Sequence, residues 1–209
     1  MGRVAPSFKA RAGGLHRLLE RLRREEPAVY RHGLRVAAYV EAVGRRLDLG
    51  PKELFFWRMG ALLHDVGKLL VPRRLLHAPR ELCTDECAVL RFHVQAGRLL
   101  IERYLPPLKA RPLVPFVYLH HERYDGRGYP LGLAGSAIPL GVAVLSVADA
   151  YVAMREPRPY RIAKTHFQAV AELARGSGSQ FHPEAVLLLL AVLGERTPSL
   201  PPPALVSPR

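Results

Sequence analysis

A lone carboxylate, Asp149, stands in the apolar run from Gly141 to Ala150. An unpaired charge in such a segment costs several kcal/mol, so Asp149 calls for a cation or strong donors; a buried arginine and a bound metal both meet that need. His64-Asp65 closes the apolar stretch Leu54 to Leu63, and Lys68 follows one turn on, so an imidazole, a carboxylate and an ammonium emerge together from a hydrophobic element. His120-His121 ends another apolar segment, and both rings reach inward only if the backbone turns there, which the glycines beyond permit. Of nine histidines, His32, His64, His93, His120 and His121 lie at helix ends or on helix faces beside apolar runs. Five such histidines with two aspartates point to metal rather than to isolated core histidines.

The elements that must position these groups read as helices, because apolar residues recur three and four apart and nothing alternates for long. Leu15, Leu18, Leu19 and Leu22 make a stripe opposite Arg17, Arg21 and Arg24. A second helix beginning near His32 carries Val36, Val40, Val43 and Leu47. Pro51 suits the first turn of a third, expected to be buried on nearly all sides. A fourth is predicted from about Thr84 to Tyr104, stopped by Pro106-Pro107, and a fifth from Pro115 to His121. The glycines and prolines from Gly126 to Pro139 force a long loop, of a kind usually functional. Further helices are predicted at Leu140 to Met154, Ala163 to Ala174 and Pro183 to Leu193. The expectation is an all-α, single-domain helical bundle over residues 14–196, with a flexible segment at 1–13 and a proline-rich tail at 197–209.

Bulk properties narrow the function classes. A chain of 209 residues, 49% hydrophobic, can bury one continuous core. Its longest uninterrupted apolar stretch, Ala185 to Leu193, is too short to span a bilayer, and no secretory signal opens it, so a cytoplasmic protein without membrane attachment is expected. The formal net charge of +13 favours anionic partners. The arginines are scattered rather than gathered into an aromatic-interleaved stripe, which argues against nucleic acid and suits a nucleotide or phosphodiester. Cys83 and Cys87 are read as reduced packing residues.

The ordered motifs resemble the HD-GYP subgroup of the HD superfamily from His32 to about Glu184, about three quarters of the chain. They are His32-Gly-Leu-Arg-Val36, Leu62-Leu-His-Asp-Val-Gly-Lys68, His93 four residues before Gly97, and His120-His-Glu-Arg-Tyr-Asp-Gly-Arg-Gly-Tyr-Pro130. Ile138-Pro-Leu-Gly141, Val147-Ala-Asp-Ala-Tyr151, Arg158-Pro-Tyr-Arg161 and Gly178-Ser-Gln-Phe181 complete the series. The resemblance implies an HD-type helical domain with a binuclear metal site. His32, His64, Asp65 and Asp149 would surround one ion and Asp65, His93, His120 and His121 the other, with Asp65 bridging. Mixed imidazole and carboxylate donors suit iron, manganese or zinc rather than calcium, and the family favours iron or manganese.

By the same resemblance the activity is hydrolysis of cyclic di-GMP to pGpG, and then to GMP, by a hydroxide bridging the two metals. Asp65 and Lys68 would be catalytic, Lys68 neutralising transition-state charge, with Arg158 and Arg161 on phosphate. Gly128 and Tyr129 would meet the substrate. Alternatives are a phosphohydrolase of another cyclic nucleotide, or a metal-binding regulatory module whose Gly128-Tyr129-Pro130 loop docks a signalling protein. Three departures stand out: Ala28 replaces a glutamate that helps hold a third metal in some members, so two metals are expected; Val152 and His182 replace aspartates that would orient ligands.

Overall fold

Among residues 13–157 and 162–194, those that the computed structural model of the chain describes, every regular element is helical. Chain order gives α1 (Gly14–Glu25), α2 (Pro27–Arg46), α3 (Pro51–Leu63), a 3-10 turn (Val66–Leu70), α4 (Arg73–Leu76), α5 (Thr84–Arg91) and α6 (His93–Tyr104). Then follow α7 (Pro107–Ala110), α8 (Val114–Leu119), a second 3-10 turn (Gly135–Ala137), α9 (Leu140–Arg155), α10 (His166–Gly176) and α11 (Pro183–Gly194). The all-α fold expected from the spacing, of the HD type implied by the resemblance, is what the chain adopts. No helix among the described residues is long and apolar enough to cross a membrane. Arg158, Arg161, the segment before Gly13 and the proline-rich tail lie outside the described residues.

Two apolar clusters hold the bundle. The larger joins Val36, Val40 and Val43 of α2 to Trp57 and Leu62 of α3, the apolar length of α9, and Leu173 and Leu189 of α10 and α11. The smaller joins Leu18 and Leu22 of α1 to Leu63, Val66, Leu100, Ile101 and Val117. The end of α3 belongs to both, so His64-Asp65 is anchored between two cores. Each fully enclosed leucine there contributes about 1.5–3 kcal/mol. Gly67 lets the 3-10 turn lie directly on α6, since a side chain at that position would collide with the His93 carbonyl and the Gly97 backbone nitrogen. At the other end, the Trp57 ring packs 6.4 Å from that of Phe116 and against the backbone of Gly141, tying α3 to α8 and α9.

Several expectations need correction. α2 starts at Pro27, whose missing N–H suits the first helical position, so His32 is a mid-helix residue. α3 is not buried on nearly all sides: Phe55 is 48% exposed and Arg58 is exposed, because only its last turn passes between the two clusters. The single helix predicted from Thr84 is two, broken at Phe92, and the break frees the start of α6 to present His93. Cys83 occupies the N-cap of α5, where its backbone N–H donates to the Glu86 carboxylate at 3.1 Å; it is exposed rather than packed. α8 ends at Leu119, so His120 and His121 lie in the turn that follows.

Candidate metal centre

Five elements deliver the seven candidate ligands to one point. α2 brings His32, the end of α3 brings His64 and Asp65, the start of α6 brings His93, the end of α8 brings His120 and His121, and α9 brings Asp149. Their donor atoms form two groups, Asp65 with His93, His120 and His121, and His32 with His64 and Asp149; within each group the atoms lie inside 4.8 Å of one another. Asp65 faces both. Its Oδ1 is 3.3 Å from His93 Nε2, and its Oδ2 is 3.3 Å from His64 Nε2 and 2.5 Å from Lys68 Nζ.

Ring orientation is set by helix ends. His64 Nδ1 lies 2.7 Å from the Ala61 carbonyl, His93 Nδ1 2.8 Å from that of Leu90, and His120 Nδ1 3.1 Å from that of Val117. Each carbonyl is three residues back, in the last turn of a helix where carbonyls lack an intrahelical partner. A carbonyl only accepts, so all three rings donate from Nδ1 and turn an Nε2 lone pair inward. The consequences are unfavourable without a cation: His93 Nε2 and His120 Nε2 stand 3.4 Å apart with no proton between them, and the buried His64 Nε2 has no hydrogen-bond partner while facing two carboxylates. A divalent ion relieves each contact, so the donor set fits a metal by its chemistry and its geometry.

The electrostatics differ across the centre. Burial lowers the pKa of His120 and His93, and draws that of His121 down to about 4 against the pull of Asp149. Burial also opposes charge on His32, but hydrogen bonds to Asp149 at 2.8 Å and Glu156 at 3.1 Å outweigh it and raise its pKa to about 9. Asp65 and Asp149 are held below the usual carboxylate range: burial works against them, while Lys68 and the neighbouring imidazoles prevail for Asp65, and His32 and His64 for Asp149.

A cleft of about 530 Å³ opens beside this point, lined by His120, His121, Asp149, Gly128 and Tyr129 together with Arg91, Arg123 and Arg127. The Tyr129 ring stacks on His121 at 4.8 Å, and the Arg91 guanidinium lies 5.1 Å from the Tyr129 ring centre. Gly128 has no room for a side chain, since its backbone lies on Glu122 and Arg123. Glu122, buried at 3% exposure, accepts from the backbone N–H groups of Leu131 at 2.7 Å and Leu133 at 3.0 Å and so fixes the loop. Val152 lies in the apolar core, and His182 keeps a buried Nδ1 without a partner, its ring edge-on to Tyr124 at 5.0 Å.

Sequence reasoning missed Glu122, Arg91 and Glu156. Glu122 sits inside the motif already singled out; Arg91 and Glu156 gave no local signal beyond lying two residues before His93 and seven after Asp149.

Such a centre defines an all-α domain of the kind that gathers imidazoles and carboxylates from separate helices. The HD domain family model matches residues 17–185. The cyclic di-GMP phosphodiesterase response regulator RpfG of Xanthomonas campestris pv. campestris is 36% identical over 191 residues, 91% of this chain and 46% of that protein. The 3'3'-cGAMP-specific phosphodiesterase 2 of Vibrio cholerae is 34% identical over 159 residues, 76% of this chain and 30% of that protein. Among solved structures, the HDG"Y"P protein Bd1817 of Bdellovibrio bacteriovorus shares the fold with a TM-score of 0.61 at 19% identity, over 79% of this chain and 52% of that one. The chain belongs to the HD domain family, with a His120-to-Pro130 run of the HD-GYP type. It spans less than half the length of both relatives.

Proposed function

We propose that the domain is a divalent-metal phosphodiesterase that opens cyclic di-GMP to pGpG and then GMP. The observation that carries this is Asp65, whose two oxygens face the two donor groups, the disposition a bridging ligand needs. His32, His64, Asp65 and Asp149 would hold one ion and Asp65, His93, His120 and His121 the other, iron or manganese by the donor set and the family. Bound there, such ions supply Lewis acidity at a phosphoryl oxygen and acidify water.

The protein's own groups do the rest. Asp65 holds the Lys68 ammonium beside the centre, where it offsets charge growing on phosphorus. Arg91, Arg123 and Arg127 set positive charge around the cleft, and Arg123 and Arg127 are themselves fixed by Asp125. Arg158 and Arg161 join the phosphate contacts in this reading. Water adds to phosphorus, the P–O3′ bond breaks, and the 3′ oxygen leaves with a proton. Tyr129, packed on His121, shapes the cleft wall and Gly128 offers backbone to the substrate.

The test is to load chelator-stripped protein with Mn²⁺, or with Fe²⁺ anaerobically, and follow cyclic di-GMP by chromatography. Metal-dependent pGpG formation is expected; no turnover with either ion rejects the reading. The V. cholerae relative favours a second substrate, 3'3'-cGAMP, and faster cleavage of that dinucleotide would transfer the assignment to it. A docking role for the Gly128-Tyr129-Pro130 loop predicts that Asp65→Asn keeps partner capture while losing turnover.

A further inference from the structure

Four of the imidazoles stand at helix starts or ends, and three of these are oriented by last-turn carbonyls of the helix preceding them. His32 cannot be: it sits in the interior of α2, where the carbonyls one turn back accept from the helix itself. Its Nδ1 is met instead by a carboxylate from another element. Both oxygens of Glu156, at the C-cap of α9, lie 3.1 Å from His32 Nδ1, and Arg35 Nη2 ion-pairs with Glu156 Oε1 at 2.6 Å. Val152, one turn earlier on α9, lines the same 470 Å³ cleft as Glu156 and offers no acceptor. Thus α9 grips the ring from both sides, with Asp149 on Nε2 and Glu156 on Nδ1.

We propose that Glu156 is the positioning residue for His32: by accepting from Nδ1–H it fixes the ring plane and presents Nε2 to the ion shared with His64 and Asp149. This rests on the metal reading above. A carboxylate behind a ligating imidazole also raises its basicity, and losing such a partner weakens metal affinity about 10–100-fold. Because the acceptor is a side chain rather than a helix carbonyl, this site can be altered by one substitution without touching the backbone.

The experiment is Mn²⁺ titration of chelator-stripped full chain, read by metal count after equilibrium dialysis and by competition with a fluorescent chelator, with circular dichroism checking the fold. The unaltered chain is expected to bind two ions, and Glu156→Ala to keep one at full affinity while the other weakens about 10–100-fold. Glu156→Gln, which keeps an acceptor without the charge, should fall between them and preserves the comparison should the alanine variant not fold. Arg35→Ala, removing a half-exposed partner, should stay within about fivefold of the unaltered chain. In a His32→Ala background, Glu156→Ala should change nothing further. Unchanged affinity in both Glu156 variants, or an undiminished effect without His32, overturns the proposal alone; an unaltered chain that binds no Mn²⁺ overturns the metal reading with it.

Discussion

Around His93 and His120 the rings are held by helix carbonyls and kept uncharged by burial, whereas His32 is held between two carboxylates whose hydrogen bonds favour its charged form. His93 and His120, at 2% exposure or less, are enclosed, as is His64, which the Ala61 carbonyl holds in the same way; Glu156, which holds His32, lines the cleft it shares with Arg35. A site held by backbone changes only if the fold changes. One held by side chains can be tuned residue by residue, so the two groups should differ in how they respond to substitution, pH and chelation.

The largest effect belongs to the residue they share. Asp65→Asn removes one charged oxygen from the point between the groups, and metal count and turnover should both fall by more than the roughly 10–100-fold expected for a supporting residue. An Asp65→Asn protein that retains two tight ions would break the comparison at its centre. Gly67→Ala comes next. The added methyl has no space against the His93 carbonyl, so it should cost about 1–3 kcal/mol in thermal unfolding and loosen the Asp65 and His93 group before the His32 group. Equal loss of both ions in a folded Gly67→Ala protein would mean that the groups are not separable.

The smallest effect is the one in pH. In chelator-treated protein His32 has a raised pKa of about 9 against an ordinary 6.5, so its contribution to stability is full below pH 6.5 and lost as the pH climbs through about 9. His121, lowered to about 4, contributes above pH 6.5, and that contribution is lost as the pH falls through about 4; His93 and His120 are shifted in the same direction. The melting temperature should therefore decline on both sides, and His32→Ala should flatten only the alkaline arm. An alkaline arm that survives in His32→Ala points to a different group.

Much of this was legible in the sequence because the information is local. Apolar spacing gave the helices, and His64-Asp65 and His120-His121 stand out as polar residues ending apolar runs. Helix breaks were harder to read: Phe92 interrupts a stripe that runs on in register, and the close fit of the 3-10 turn on α6 at Gly67 explains why the chain is better served by two helices. Contacts between distant elements were not legible at all. Glu156 meets a residue 124 positions away, and an isolated glutamate at a helix end looks like any solvated charge. Which carbonyls face a ring is likewise a property of where helices stop, which sequence spacing places only to within a few residues.

The packing of Trp57 gives the molecule a built-in optical reporter. It is the one tryptophan in the chain, it is 7% exposed, and its indole packs on Phe116 of α8 and Gly141 of α9; His120 follows directly on α8, and α9 carries Asp149. Any shift of those two helices relative to each other would alter what surrounds the indole, so a change in the intrinsic fluorescence of the unlabelled chain on adding Mn²⁺ would report movement of α8 against α9.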